Sequence, residues 1–266
     1  MSVLIVIPAR YASTRYPGKP LVELTGATGE KKTLIQRSYD AACAVQGVDR
    51  VVVATDDDRI KDAAEAFGAE VVMTSPDCAN GTERCAEVIE TLGGGYDIVV
   101  NLQGDAPLTP AWFVEDLVSG LRNDPIAEVA TPVLRCDGRA LNDLLDDRRA
   151  GRVGGTTAVF GADHKALYFS KEVIPFCAQT FEDAAPTPVF HHVGVYAYRP
   201  AALKSYPMWE AGPLEGLEGL EQLRFLERER SVLCVEVDAR GRQFWELNNP
   251  QDVSRIESMM KQMGIA

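Results

Sequence analysis

MSVLIVIPARYASTRYPGKPL, residues 1–21, is the stretch whose reading decides the fold. Residues 3–7 form an unbroken Val/Leu/Ile run, the pattern of a strand covered on both faces. The run breaks at Pro8 into a loop holding Arg10, Arg15 and Lys19, with Pro17, Gly18 and Pro20 as punctuation. A buried strand that empties into a stiff loop with three cations is built to hold something polyanionic. Arg grips phosphate by a bidentate fork and Lys acts as a point charge, while Gly18 lets the backbone come close to a ligand. The loop matches neither G-x-x-x-x-G-K-[ST] nor G-x-G-x-x-G, and the missing second pattern argues against a hydride-transferring dehydrogenase. The plainer reading is a solvated surface loop.

Working outward, four more Val/Ile-rich runs read as strands, at 50–54, 70–73, 98–102 and 129–133. Helical patterns lie between them. Thr33 and Gln36 fit a capping box opening a helix to about 45. Asp56 is expected to cap a helix ending near Phe67, with Gly68 as its stop. Residues 82–92 are periodic up to the Gly93-Gly94-Gly95 run, and Pro110 sits in the first turn of a helix to about 122. Strands alternating with helices predict an α/β fold with a mostly parallel, doubly wound sheet.

Beyond residue 155 the pattern changes. Residues 166–169 and 192–198 read as aromatic, partly alternating strands, with a loop at 176–188 between them. Residues 214–229 read as one helix, 232–237 as a strand and 249–263 as a terminal helix, in which Met259, Met260 and Met263 are core packing. With no repeat and no low-complexity linker, a single domain over 1–266 with an inserted lobe at about 155–225 is expected.

The chain has 266 residues, 46% hydrophobic and 25% charged, with a net charge of −12. An acidic chain repels nucleic acid and anionic membranes, so the cations of the first loop make a local site. No apolar stretch approaches the roughly 20 residues needed to span a bilayer, and the N-terminus does not read as a signal peptide. The six cysteines, Cys43, Cys78, Cys85, Cys136, Cys177 and Cys234, form no C-x-x-C pair. Reduced thiols in a cytoplasm are expected, without a zinc site.

Ligands of open α/β sheets bind outside the carboxyl ends of the strands. Asp105, after Gly104 at the end of the fourth strand, is placed either to hold a hard cation such as Mg²⁺ or to shape an Asx turn. Asn248 offers a carbonyl to the same cation or belongs to a capped turn before Pro250, with Asn249 as N-cap. The loop Asn80-Gly81-Thr82-Glu83-Arg84 enters a helix, so its N–H groups and Arg84 suit a base or phosphate, or make a cap and an ion pair. His191 and His192 on a strand read first as packed, hydrogen-bonded residues.

Several segments together resemble the 3-deoxy-manno-octulosonate (Kdo) cytidylyltransferases. They are Ile7-Pro8-Ala9-Arg10-Tyr11-Ala12-Ser13-Thr14-Arg15 with Pro17-Gly18-Lys19-Pro20-Leu21, Val53-Ala54-Thr55-Asp56-Asp57, Asn80-Gly81-Thr82-Glu83-Arg84 and Asn101-Leu102-Gln103-Gly104-Asp105. Further along come Ala166-Leu167-Tyr168-Phe169-Ser170, His192-Val193-Gly194-Val195-Tyr196-Ala197-Tyr198-Arg199 and Leu220-Glu221-Gln222-Leu223-Arg224, all in the family's order. The resemblance implies a Rossmann-like nucleotide-diphospho-sugar transferase fold with an inserted sugar-binding and dimerisation lobe. It implies a cytosolic, homodimeric enzyme that joins CTP to a carboxylated sugar, releasing pyrophosphate, with Mg²⁺, for lipopolysaccharide or capsule synthesis. Neither nucleic acid nor membrane is an expected partner.

The same resemblance implies that Ala9, Arg10, Ser13, Arg15 and Lys19 hold the nucleotide, with Asn80, Gly81, Arg84 and Gln103 near it. Arg10, Lys19 and Asp105 would be catalytic, Asp105 and Asn248 would bind the metal, and Gln103, His192, Tyr196, Glu218 and Gln222 would line the sugar pocket. The chain departs from the family's usual pattern at Ala106, where a Glu is usual, and at Asn248, where an Asp is usual. It departs again at Gly155-Thr156-Thr157-Ala158-Val159, which lacks a Lys, and at Phe176-Cys177-Ala178, which replaces Trp-Asp-Arg. Several of these changes lie toward the sugar side. An 8-amino analogue, a sialic-acid-like sugar or a phosphonate is therefore an alternative acceptor, and a non-catalytic nucleotide-binding homologue an alternative role.

Overall fold

The opening run becomes strand β1 (Val3–Ala9), and Val3 to Ile7 are wholly buried. The computed structural model describes residues 1–13, 15–153, 155–242 and 245–266. The chain divides into two compact units, Met1–Glu115 with Ala239–Ala266, and Asp116–Asp238. The lobe expected at 155–225 lies within the second unit.

In the first unit, β1 pairs in parallel with β4 (Arg50–Thr55) on one side and β6 (Ile98–Leu102) on the other, while β5 (Glu70–Met73) extends the sheet beyond β4. The order is β5-β4-β1-β6. The chain winds outward from β1 and then returns to its other side, which makes the gap between the carboxyl ends of β1 and β6 a topological switch point. A small hairpin of β2 (Glu23–Thr25) and β3 (Lys31–Thr33) precedes α1 (Leu34–Cys43), where Thr33 caps by accepting from the Gln36 N–H at 3.3 Å. α3 (Gly81–Thr91) is capped by Asn80, which accepts from the Glu83 N–H at 2.9 Å, and α4 (Ala111–Asn123) follows Pro110. The C-terminal helix α9 (Asp252–Met263) packs Ile256, Met259 and Met260 against Leu24, Leu34, Leu108 and Leu247, with Met263 beside them.

Two capping expectations are corrected here. α2 (Asp58–Ala66) is capped by Asp57, not Asp56, because Asp56 turns to Arg84 at 3.4 Å. Asn249 is not the N-cap of α9. Instead the Asp252 carboxylate accepts from the N–H groups of Asn248 and Asn249, at 3.0 and 2.6 Å, and so holds the turn from the helix side.

The second unit is built on β7 (Val129–Asp137). β12 (Val232–Glu236) runs parallel to it, while β10 (Pro186–His192) and β11 (Val195–Tyr198) run antiparallel. β8 (Thr156–Phe160) and β9 (Ala166–Ser170) continue the sheet from β10, both antiparallel, and α5 (Gly138–Arg149) follows β7. The single strand expected at 192–198 is two strands, interrupted at Val193-Gly194, where the Val193 N–H donates to the Pro132 carbonyl at 3.1 Å. After α6 (Pro200–Ser205), the single helix expected at 214–229 is also two, α7 (Pro213–Glu218) and α8 (Leu223–Glu227). Gly219 adopts φ +61 and ends α7 in a left-handed cap, which a continuous helix cannot accommodate.

Candidate active site

The loop leaving β1 is folded on Tyr11. The Tyr11 carbonyl accepts from the N–H groups of Ser13 and Gly18, at 3.0 and 2.9 Å. Gly18 has φ +70, and a Cβ there would meet the Tyr11 ring at 3.0 Å. The Arg59 guanidinium lies 3.3 Å from the centroid of the same ring, held in place by Asp57. Tyr11 therefore braces a loop whose cations, Arg10 and Arg15, stay exposed.

The loop leaving β6 comes to the same place. Gly104 is buried against β1, and a Cβ on it would lie 2.7 Å from the Pro8 carbonyl oxygen, so only glycine fits. The next residue, Asp105, accepts a hydrogen bond on Oδ2 from Lys19 Nζ, which also donates to the Leu247 carbonyl at 3.1 Å. The Leu247 N–H donates to the Asp105 carbonyl at 2.9 Å, and Arg15 Nη2 donates to Asn248 Oδ1 at 2.9 Å. Four of the residues singled out from sequence, Arg15, Lys19, Asp105 and Asn248, thus meet around the switch point. Glu246, which the sequence reading missed, joins them. Burial, and then the negative charge of Asp105, push its carboxyl up to about 7, against the opposing influence of Asn248, Lys19 and Arg15.

At the amino end of α3, a Cβ on Gly81 would lie 2.9 Å from Asn101 Nδ2 and 3.3 Å from Gln103 Nε2, so this helix start is packed directly against the end of β6. Asn101 is fully buried with neither amide atom hydrogen-bonded. Arg84 turns inward, 3% exposed, donating to Thr74 Oγ1 and pairing with Asp56. Asn80 is the α3 cap, and Ala9 is buried at the end of β1.

The residues assigned to a sugar pocket lie in the second unit. His192 Nε2 is 2.8 Å from Thr131 Oγ1 and packs edge-on to Phe169, with Tyr196 at a ring separation of 5.6 Å. The Tyr196 hydroxyl donates to Gln222 Oε1 at 3.0 Å, while Gln222 Nε2 is buried without a hydrogen-bond partner. Glu218 accepts from Ser170 Oγ at 2.7 Å and the Lys171 N–H at 2.9 Å, which docks the end of α7 on β9.

Both adjacent histidines are neutral. Burial lowers His191 to about 4, and burial followed by repulsion from a protonated His191 lowers His192 to about 3. The unfolded chain takes up protons near the ordinary value of 6.5, where the folded one does not. Their stabilising contribution is therefore complete above pH 6.5 and is lost as pH falls toward the folded values, at about 1.4 kcal/mol per pH unit for each histidine. Urea denaturation between pH 7 and 4.5 should show this decline, and His192→Asn should make it shallower by one proton.

The donors around Asp105 are hard oxygens, two carboxylates and a carbonyl, which suit Mg²⁺. The Lys19 ammonium already sits between the Asp105 carboxylate and the Leu247 carbonyl, so this oxygen set accommodates a cation. Among the described residues no group of three or more His, Cys, Asp or Glu gathers to bind a metal. A divalent cation there would take few ligands from the protein and would need other oxygens to complete its shell.

The chain is similar to proteins of one family. A family model described as cytidylyltransferase matches residues 4–232. The chain is 46% identical, over 99% of both sequences, to a 3-deoxy-manno-octulosonate cytidylyltransferase of Maricaulis maris. It is 40% identical to an 8-amino-3,8-dideoxy-manno-octulosonate cytidylyltransferase of Shewanella frigidimarina, over 97% of this chain and 98% of that one. The solved structure of a CMP:2-keto-3-deoxy-manno-octonic acid synthetase complexed with CTP superposes with a TM-score of 0.83 at 34% identity, covering 99% of this chain and 100% of that one. With a loop after β1 and a Gly-Asp pair after β6, at the carboxyl ends of adjacent parallel strands, the chain belongs to the Kdo cytidylyltransferase family, the CTP-dependent nucleotidyltransferases it resembles in sequence.

Proposed function

We propose that the protein transfers CMP from CTP to the anomeric hydroxyl of Kdo, releasing pyrophosphate. The observation that carries this reading is the meeting of Arg15, Lys19 and Asp105 at the switch point. The sugar hydroxyl attacks the α-phosphorus in line with the departing pyrophosphate. Charge grows on the equatorial oxygens and on the leaving group, so positioned cations and alignment carry most of the rate. Arg10, Arg15 and Lys19 hold the triphosphate and offset that charge. Mg²⁺, when bound at Asp105 beside Asn248, supplies Lewis-acid stabilisation of phosphate charge. Tyr196 and Gln222, fixed to one another, orient the sugar, and the buried neutral His192 contributes a hydrogen-bonding edge rather than a charge.

Lys19 exchanges its Asp105 and Leu247 contacts for phosphate oxygens in this scheme. Lys19→Ala removes a charge-assisted hydrogen bond of about 1.5–3 kcal/mol, so CTP binding should weaken roughly tenfold to a hundredfold. Calorimetric titration with CTP checks this, and an unchanged affinity would remove Lys19 from the triphosphate site.

Identity to the Shewanella relative supports 8-amino-Kdo as a second acceptor. Pyrophosphate release with CTP, Mg²⁺ and a panel of Kdo, 8-amino-Kdo, a sialic acid and a phosphonate decides among them. Turnover with none of the four would leave a non-catalytic nucleotide binder. The same reading makes the enzyme a cytosolic homodimer serving lipopolysaccharide or capsule synthesis, to be checked by fractionation, sizing chromatography and the phenotype of a deletion strain.

A further inference from the structure

We propose that Arg59, in the first turn of α2, is a positioning residue for CTP: through Tyr11 it holds the loop after β1 in the conformation that receives the triphosphate. This rests on the triphosphate site of the reading above and adds to it a residue outside the loop.

Tyr11 is tied at two points to the residue that precedes Lys19. Its carbonyl accepts from the Gly18 N–H at 2.9 Å, and its ring lies so close that a Cβ on Gly18 would be 3.0 Å from both Cζ and the hydroxyl oxygen. Gly18 is buried at φ +70, a conformation that favours glycine. The Gly18 carbonyl accepts from the Leu21 N–H at 3.0 Å, and the Lys19 N–H donates to the Tyr16 carbonyl at 3.3 Å. The backbone is thus held on both sides of Lys19, and a displaced Tyr11 would carry Gly18 and Lys19 with it.

Arg59 holds the ring from a different element. Its guanidinium carbon lies 3.3 Å from the Tyr11 centroid. Asp57, the cap of α2, sets its orientation. Asp57 Oδ1 accepts from Arg59 Nε at 2.9 Å and Oδ2 from Nη2 at 2.6 Å, while Oδ1 also accepts from the Arg59 N–H at 3.0 Å. The guanidinium therefore gives an edge to a carboxylate and a face to an aromatic ring, a use that its planar fork suits. Its charge is already offset by Asp57, so its effect on the triphosphate passes through Tyr11. α2 follows β4, the parallel neighbour of β1, so the contact fastens the loop to the sheet that carries it.

A cation on an exposed aromatic ring is a weak contact, and Arg59 is itself exposed. It biases the loop between ordered and open forms and leaves the fold alone. A protein whose binding-competent form is only partly populated binds with an affinity reduced by that fraction, while the bound complex is unchanged. Loss of Arg59 should therefore fall on CTP affinity and spare turnover.

The test is Arg59→Ala in the full chain. Calorimetric CTP affinity should fall about two- to fivefold, KM for CTP should rise to match, and kcat should stay unchanged. Hydrogen exchange at the Gly18 N–H, followed by NMR without nucleotide, should quicken in the variant and return to the unsubstituted rate at saturating CTP. Tyr11→Leu removes the ring, so adding Arg59→Ala to it should weaken CTP no further. Thermal unfolding confirms that each variant is folded, and Arg59→Gln, with the same expected effects, serves where the Ala variant is not. Unchanged CTP affinity in Arg59→Ala overturns the inference, as does a loss that falls on kcat. Weaker binding with unaltered Gly18 exchange, or a full further loss in the Tyr11→Leu background, overturns it too, since Arg59 would then act on the phosphates directly. Each of these leaves the wider reading intact, whereas failure of the unsubstituted protein to bind CTP would overturn both.

Discussion

Asp105→Ala is expected to abolish Mg²⁺-dependent pyrophosphate release, lowering turnover by about a thousandfold or more. The size follows from what the carboxylate does. Lewis-acid stabilisation of transferring phosphate is worth several kcal/mol, and each 1.36 kcal/mol is tenfold in rate. The Asp105 backbone is held by the Leu247 N–H, so the carboxylate stays in place when Lys19 turns to the triphosphate. The loss should fall on turnover more than on CTP affinity, because in the proposed site Arg10, Arg15 and Lys19 would still hold the triphosphate. Steady-state kinetics across a Mg²⁺ series measure both. Near-normal pyrophosphate release from this variant would refute the metal role.

Arg224→Ala is expected to cost about 3–5 kcal/mol of folding stability. Arg224 and Glu215 are 5% and 9% exposed and form a fork, Nε to Oε2 at 2.6 Å and Nη2 to Oε1 at 2.7 Å. The guanidinium also lies 4.1 Å from the Tyr206 ring centroid and donates to the Trp209 carbonyl at 3.3 Å. Removing it leaves a buried carboxylate with no countercharge, which is the costly outcome. Removing both partners, as in Glu215→Gln with Arg224→Met, should recover much of the loss, since a buried pair often contributes little beyond an apolar replacement. Urea denaturation of the three variants makes the comparison. A loss below about 1 kcal/mol for Arg224→Ala would mean that water reaches the pair. The pair joins α7, which ends at Glu218, to α8, whose N-cap is Gln222, so the expected sugar residues depend on it for their placement.

The parallel half of the fold was legible because β1, β4 and β6 are covered on both faces and so are apolar without alternation. The opening loop was legible for a related reason, since cations in an acidic chain stand out once they follow such a strand. What failed depended on contacts between distant residues. Asp56 and Asp57 are equivalent as caps by local pattern, and only Arg84, far along the chain, removes Asp56 from that role. The helical period of 214–229 runs through Gly219 on paper, and the left-handed turn there separates α7 from α8. The aromatic run 192–198 gave no local sign that β7 takes it up as two strands. Glu246 was hidden for the same reason. Asp105, whose negative charge acts on it, is 141 positions away, and nothing in Trp245-Glu246-Leu247 distinguishes this Glu from a surface acid until the loop after β6 is brought beside it.

The transfer itself is tested most directly by phosphorus NMR of the purified protein incubated with CTP, Mg²⁺ and Kdo. Equal amounts of pyrophosphate and a new phosphodiester resonance, both absent without Kdo, are the predicted result. CTP that persists unchanged beside folded, nucleotide-bound protein, with Kdo and 8-amino-Kdo alike, would contradict it.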